Sequence, residues 1–221
     1  MKKKMNTVPA WIQPWINCNK LRESIDKKGG DGSRSSKTTD KLNSDVIDLL
    51  KIELNPANGW VFKPEDRIPC SRGDLFKVDI AIYKENRLVA VLLLKSIQKS
   101  YNKNRHNYAN TLSGEVERIK SNIRQNVGTS IITIDWLPHE VPAGEGSEMT
   151  NPPDTSSSES MWNEIIPILN KDESFVSFNK IRFTYNNDVI TNIRSDKKGK
   201  KEEVDYGIDK LVKSIRRLEH A

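Results

Sequence analysis

The chain has 221 residues, enough for one sizeable domain, and only 35% of them are hydrophobic, so a compact core with long loops is expected. Its formal charge of +6 favours an anionic partner without naming one. The longest uninterrupted apolar run, Leu88 to Leu94, is seven residues, far short of a membrane span, so no membrane association is expected.

Residues 1–26 carry Trp11, Ile12, Trp15, Ile16, Leu21 and Ile25, which predicts a packed arm or a helix after Pro14. Residues 27–40 are rich in Gly, Ser and Lys and read as a flexible loop. Ser44 is then the expected cap of a helix bearing Val46, Ile47, Leu49, Leu50 and Leu54. Trp60–Phe62 is a short strand candidate. Phe76–Tyr83 and Leu88–Lys95 follow as two strands, joined by a turn at residues 84–87. The second is apolar on both faces and suits a central position. Between Thr111 and Val127 the period becomes helical, with Leu112, Val116, Ile119, Ile123 and Val127 on one stripe and Gly128 placed as a C-cap. Ser130–Leu137 is another buried strand.

The expected architecture over about 40–137 is therefore α/β, one mixed central sheet flanked by helices. Residues 1–39 form an N-terminal arm and loop, and 138–160 a long loop. Residues 161–221 add a helix near 160–170, strands at Phe175–Tyr185 and Val189–Ile193, and a tail helix with Val204, Ile208, Leu211, Ile215 and Leu218 in phase. The whole is expected to be a single domain.

Cys18 and Cys70 lack metal-ligand spacing and are expected to be free thiols in a reducing cytoplasm. The basic start, Met1 to Lys4, has no apolar stretch of a secretory signal. His106, His139 and His220 are too scattered to suggest a zinc site or a Ser-His-Asp set.

Two residues carry chemistry. Asp79 lies in the apolar stretch FKVDIAIY, and Lys95 ends LVAVLLLK. If these strands pair as a hairpin, their ends bring the two side chains together, with Asp79 on the face opposite Val78 and Ile80. Phosphodiester hydrolysis uses a carboxylate to hold a divalent cation and a cationic side chain to orient the attacking water. The bland alternative is a turn-capping Asp79 and a snorkelling Lys95.

Residues 95–126 hold seven basic side chains (Lys95, Lys99, Lys103, Arg105, Arg118, Lys120, Arg124) against Glu115 and Glu117, a net +5. Within them, KSYNKNRHNYAN supplies Lys99, Asn102, Lys103, Asn104, Arg105, His106, Asn107 and Asn110, side chains suited to base edges and phosphates. Arg118 and Asn122 share a helix edge with Thr111 and Glu115 and would extend that DNA-contact surface. A plain polar loop is the alternative for the segment.

The pattern Asp79, thirteen residues, then Leu93-Leu94-Lys95 resembles the motif of the PD-(D/E)XK nuclease superfamily, and the element order resembles the αβββαβ core of that restriction-endonuclease-like fold. The resemblance covers less than half the chain. Val78 replaces the motif proline, and Leu93 stands where the second acidic residue belongs. Leucine cannot ligate a metal, so either the enzyme is inactive or another carboxylate substitutes. Some restriction enzymes of the family take it from the helix after the lysine strand. Glu115 lies at the edge of the sheet-facing stripe there, with Gly114 before it, whereas Glu117 points away. Glu53 is a weaker acidic candidate.

The resemblance implies a Type II restriction endonuclease of the bacterial cytoplasm, a metal-dependent deoxyribonuclease acting on double-stranded DNA as a homodimer. It implies Mg²⁺, replaceable by Mn²⁺, held by Asp79, Glu115 and the Leu94 carbonyl, with Lys95 orienting water. The alternatives are a non-catalytic DNA-binding protein on a degenerate nuclease fold, a repair or recombination nuclease, and an unrelated α/β interaction protein.

Overall fold

A computed structural model describes residues 8–32, 35–69, 74–96, 111–120, 129–140, 176–186, 189–191, 193–195, 201–203 and 207–220. The expected helix at 160–170, Cys70, and the loop at 141–160 lie outside these residues.

Apolar runs, buried on both faces in the inner strands, build the sheet. Strand β1 (Trp60–Pro64), β4 (Ile80–Lys84), β5 (Arg87–Ser96), β6 (Ser130–Glu140), β7 (Val176–Asn186) and β8 (Val189–Thr191) form one six-stranded sheet in the order β1-β4-β5-β6-β7-β8. β1, β4 and β5 are mutually antiparallel, β5, β6 and β7 run parallel, and β8 returns antiparallel. The strand expected to be central, β5, lies inside the sheet. The turn before it holds Glu85 at φ 51° and Asn86 at φ 66°, the left-handed pair that a two-residue hairpin needs. Strand β6 runs three residues further than expected. Two small hairpins, β2 (Arg67–Pro69) with β3 (Leu75–Lys77) and β9 (Ile193–Ser195) with β10 (Lys201–Glu203), complete the described strands.

Each sheet face has its own apolar cluster. Ala90, Leu92 and Leu94 of β5 join Ile132, Ile134 and Trp136 of β6 on one face. Helices α1 (Gln13–Lys27), α2 (Ser36–Glu53) and α4 (Ile208–Arg216) cover it. Trp136 Nε1 donates to the Trp11 carbonyl at 2.7 Å, and the Trp15 ring meets Phe183 edge-on, so the expected arm is fastened to the sheet. On the other face Val91 and Leu93 join Ile131 and Phe178 under α3, the helical residues 111–120, through Leu112, Val116 and Ile119. A parallel β5–β6 pair requires a crossover, and α3 belongs to it.

Ser44 does not cap α2. The helix starts two turns earlier, at Ser36, inside the stretch expected to be a loop. Thr38 explains the difference: it is buried, its hydroxyl donates to the Ser35 carbonyl at 2.7 Å, and its own carbonyl faces Cys18 Sγ. Thr38, Leu42 and Val46 continue one buried stripe at i, i+4 and i+8. Among the described residues no helix is long and apolar enough to cross a membrane.

Candidate functional site

The stretch from Phe76 to Tyr83 is two strands, and the break between them sets up the site. β3 leaves the sheet to pair with β2, while β4 begins only at Ile80. At the junction the Val78 amide donates to the Asp66 carbonyl and the Glu65 amide to the Asp79 carbonyl, both at 2.9 Å. The kink turns Val78 into the α3-side cluster and Ile80 into the other, so the expectation that both point away from Asp79 on one face is corrected. Asp79 sits at the bend with its carboxylate over β5, where Oδ2 accepts the Leu94 amide at 2.7 Å. Burial raises its pKa above the ordinary carboxylate value. The Leu94 bond and the Lys95 charge oppose that shift, while Glu115 and Glu65 add to it.

Alternation along β5 puts Lys95 on the same face as Val91 and Leu93, the face under α3. Its ammonium lies 2.7 Å from Glu115 Oε2, with the two side chains 16% and 21% exposed. The contact is close in charge but not aligned as a hydrogen bond, and Glu115 Oε2 is otherwise buried without a partner among the described residues. Glu117, two positions along α3, is exposed. Asp79, Lys95 and Glu115 are thus brought together. Leu93 is 2% exposed, a core residue beneath α3. The Leu94 side chain is buried on the opposite face, and its main chain meets Asp79 through the amide.

Two further charged residues join the group. The parallel register sets Asp135 of β6 beside Lys95 and, on its other side, Lys180 of β7. Asp135 is 1% exposed and neither carboxylate oxygen has a hydrogen-bond partner among the described residues. Burial pushes its pKa up to about 7, against the opposing pull of Lys95 and Lys180, with a smaller upward push from Glu115. The signal for Asp135 was present in the sequence. It is a lone charge inside the apolar run SIITIDWL, the same cue that marks Asp79.

The other candidates fall apart from this group. Glu53 projects from α2 beneath the opposite face and pairs with Arg216 Nε at 2.8 Å. Arg118 stands over the Phe76 ring at 5.8 Å, on the exposed side of α3. Lys99, Asn102, Lys103, Asn104, Arg105, His106, Asn107, Asn110 and Asn122 lie outside the described residues.

Among the described residues no three His, Cys, Asp or Glu side chains converge into a ready-made metal cage. The donors present still fit Mg²⁺ in kind. It takes hard oxygens, commonly one or two carboxylates with water filling the remaining positions. Asp79 and Glu115 are two such carboxylates within electrostatic reach of each other, and a buried Glu115 oxygen lacks a hydrogen bond. No protein-family model, curated protein or solved structure matches the chain.

Proposed function

We propose that the chain is a Mg²⁺-dependent DNA endonuclease of the PD-(D/E)XK kind, acting as a Type II restriction enzyme, with Glu115 in place of the acid that Leu93 lacks. The observation that carries this reading is the meeting of Lys95 with Glu115 at 2.7 Å, beside an Asp79 tied to the peptide next to Lys95. The order α2, β1, β4, β5, α3, β6, with β4–β5 antiparallel and β5–β6 parallel, supports it too.

Asp79 and Glu115 would hold the cation, which when bound supplies positive charge to the scissile phosphate and lowers the pKa of water. Lys95 would orient that water and donate to a phosphate oxygen. Its partial burial keeps the ammonium at the strand end rather than in bulk solvent. The excess of basic side chains over 95–126 would favour a phosphate backbone as the partner. A homodimer would match a two-fold DNA site.

Leu93 favours a second reading, a DNA-binding protein whose nuclease site has decayed, because its burial leaves no room for a ligand at that position. Digestion of unmethylated phage DNA separates the two. The first reading predicts discrete fragments with Mg²⁺ and none with a chelator. Asp79→Ala and Lys95→Ala should each lower cleavage by about 100-fold or more while DNA binding persists. Cleavage that survives either substitution removes that residue from the mechanism, and binding without cleavage under any divalent cation supports the second reading.

A further inference from the structure

Three adjacent strands present a row of charge under the start of α3: Lys95 on β5, Asp135 on β6 and Lys180 on β7, in register. Glu115 faces the row from the helix. The function proposed above uses Lys95 and Glu115 and leaves Asp135 without a role.

We propose that Asp135 is a positioning residue for Lys95: its charge attracts the ammonium from the neighbouring strand, beyond ion-pair distance, while Glu115 pairs with it from the helix. The inference rests on reading Lys95 as an active-site group. A lysine has a flexible four-carbon stem and a strongly hydrated head, so a single partner fixes it poorly. Glu115 is also the residue that a divalent cation would engage. Were that carboxylate to engage the cation, Lys95 would lose the 2.7 Å ion pair it makes among the described residues. Asp135 cannot leave: its side chain is short, its backbone is paired on both sides, and it is 1% exposed. Both of its oxygens lack hydrogen bonds among the described residues, and an ammonium has three protons to give. A buried carboxylate with no hydrogen bonds is costly unless a cation stands close. The register sets a lysine on the neighbouring strand at each side.

The competing explanation is that Asp135 serves only the fold, through Lys180. Acylation of the metal-free, full-length chain at one fixed pH distinguishes them. The modification rate of Lys95 is read by peptide mass spectrometry against that of the exposed Lys37. Wild type, Glu115→Gln, Asp135→Asn and the double variant are compared. The proposal expects each single variant to label Lys95 about two- to threefold faster and the double variant about tenfold faster, as the ammonium loses one or both of its carboxylate neighbours. Unchanged labelling in Asp135→Asn, both alone and with Glu115→Gln, overturns it. Asp135→Ser is a second neutral variant. A chain that folds with neither overturns the proposal as well, since a positioning role predicts folded variants.

A cleavage assay on the same proteins keeps the two readings apart. Coupled labelling of Lys95 without any Mg²⁺-dependent cleavage by wild type would remove the nuclease and leave the pairing. Wild-type cleavage that Asp135→Asn leaves untouched, with unchanged labelling, would remove the positioning role alone. Where both hold, Asp135→Asn lowers kcat with little effect on DNA affinity.

Discussion

Leu93 shares its cluster with Val91, Leu112, Val116 and Ile119, so the position lies inside the seam between α3 and the sheet. Restoring the motif there should fail. Leu93→Asp would place a charge in the core with no partner, a change that costs about 3–5 kcal/mol. The expected outcome is a large fall in Tm with no gain in cleavage, checked by thermal melting beside the phage-DNA assay. Asp135 gives a second prediction. Below about pH 4, near the ordinary value of 3.8, its carboxyl is protonated in both the folded and the unfolded chain, and its contribution to stability is fully present. As pH rises the unfolded chain releases its proton first. The folded chain therefore loses stability until its own carboxyl, near 7, has titrated. Asp135→Asn cannot ionise, so its Tm should exceed that of wild type at pH 8 and the gap should close toward pH 4. A gap that does not change with pH contradicts the assigned burial of a charge. Asp79 was legible as an acid inside an apolar stretch and Lys95 as the charge that ends one, and the helical phase separated Glu115 from Glu117. Asp135 escaped because its meaning depends on the strand beside it, and β5–β6 register is set by the crossover rather than by either strand alone.

At the scale of elements, the β4–β5 hairpin is the most local feature and the easiest to anticipate: two apolar runs with four polar residues between them. Its turn carries a cost that the sequence hides, because Glu85 adopts φ 51°. Left-handed backbone disfavours most side chains by about 1–2 kcal/mol, and Asn tolerates it. Glu85→Asn should therefore raise stability by about 0.5–1 kcal/mol without touching the site, read from chemical denaturation. The break between β3 and β4 was not legible, since Phe76–Tyr83 reads as one mostly apolar stretch and only pairing of β3 with β2 pulls it from the sheet. The same reason governs α2. Polar composition suggested a loop through residue 40, yet Thr38 is buried against α1 through Cys18 and continues the apolar stripe. Tertiary burial, more than local propensity, decided both boundaries.

Over the whole molecule, the sheet separates two tasks. One face is closed by α1, α2 and α4 and holds the larger apolar cluster; the other carries α3 and, at one end, the charged group of Asp79, Lys95, Glu115, Asp135 and Lys180. The α/β class and the central place of β5 followed from the order and polarity of the runs. The joining of β7 to β6 as a third parallel strand did not, because residues far apart in the chain make that pair. The proposed site depends on a carboxylate lent by α3 where its own strand carries leucine. Its most direct measurement is Mg²⁺-dependent cleavage of supercoiled plasmid by Glu115→Gln and Glu117→Gln side by side with wild type. A loss of about 100-fold or more in Glu115→Gln, with Glu117→Gln within about threefold of wild type, is the predicted result. Equal activity in the two variants, or the larger loss in Glu117→Gln, would contradict it.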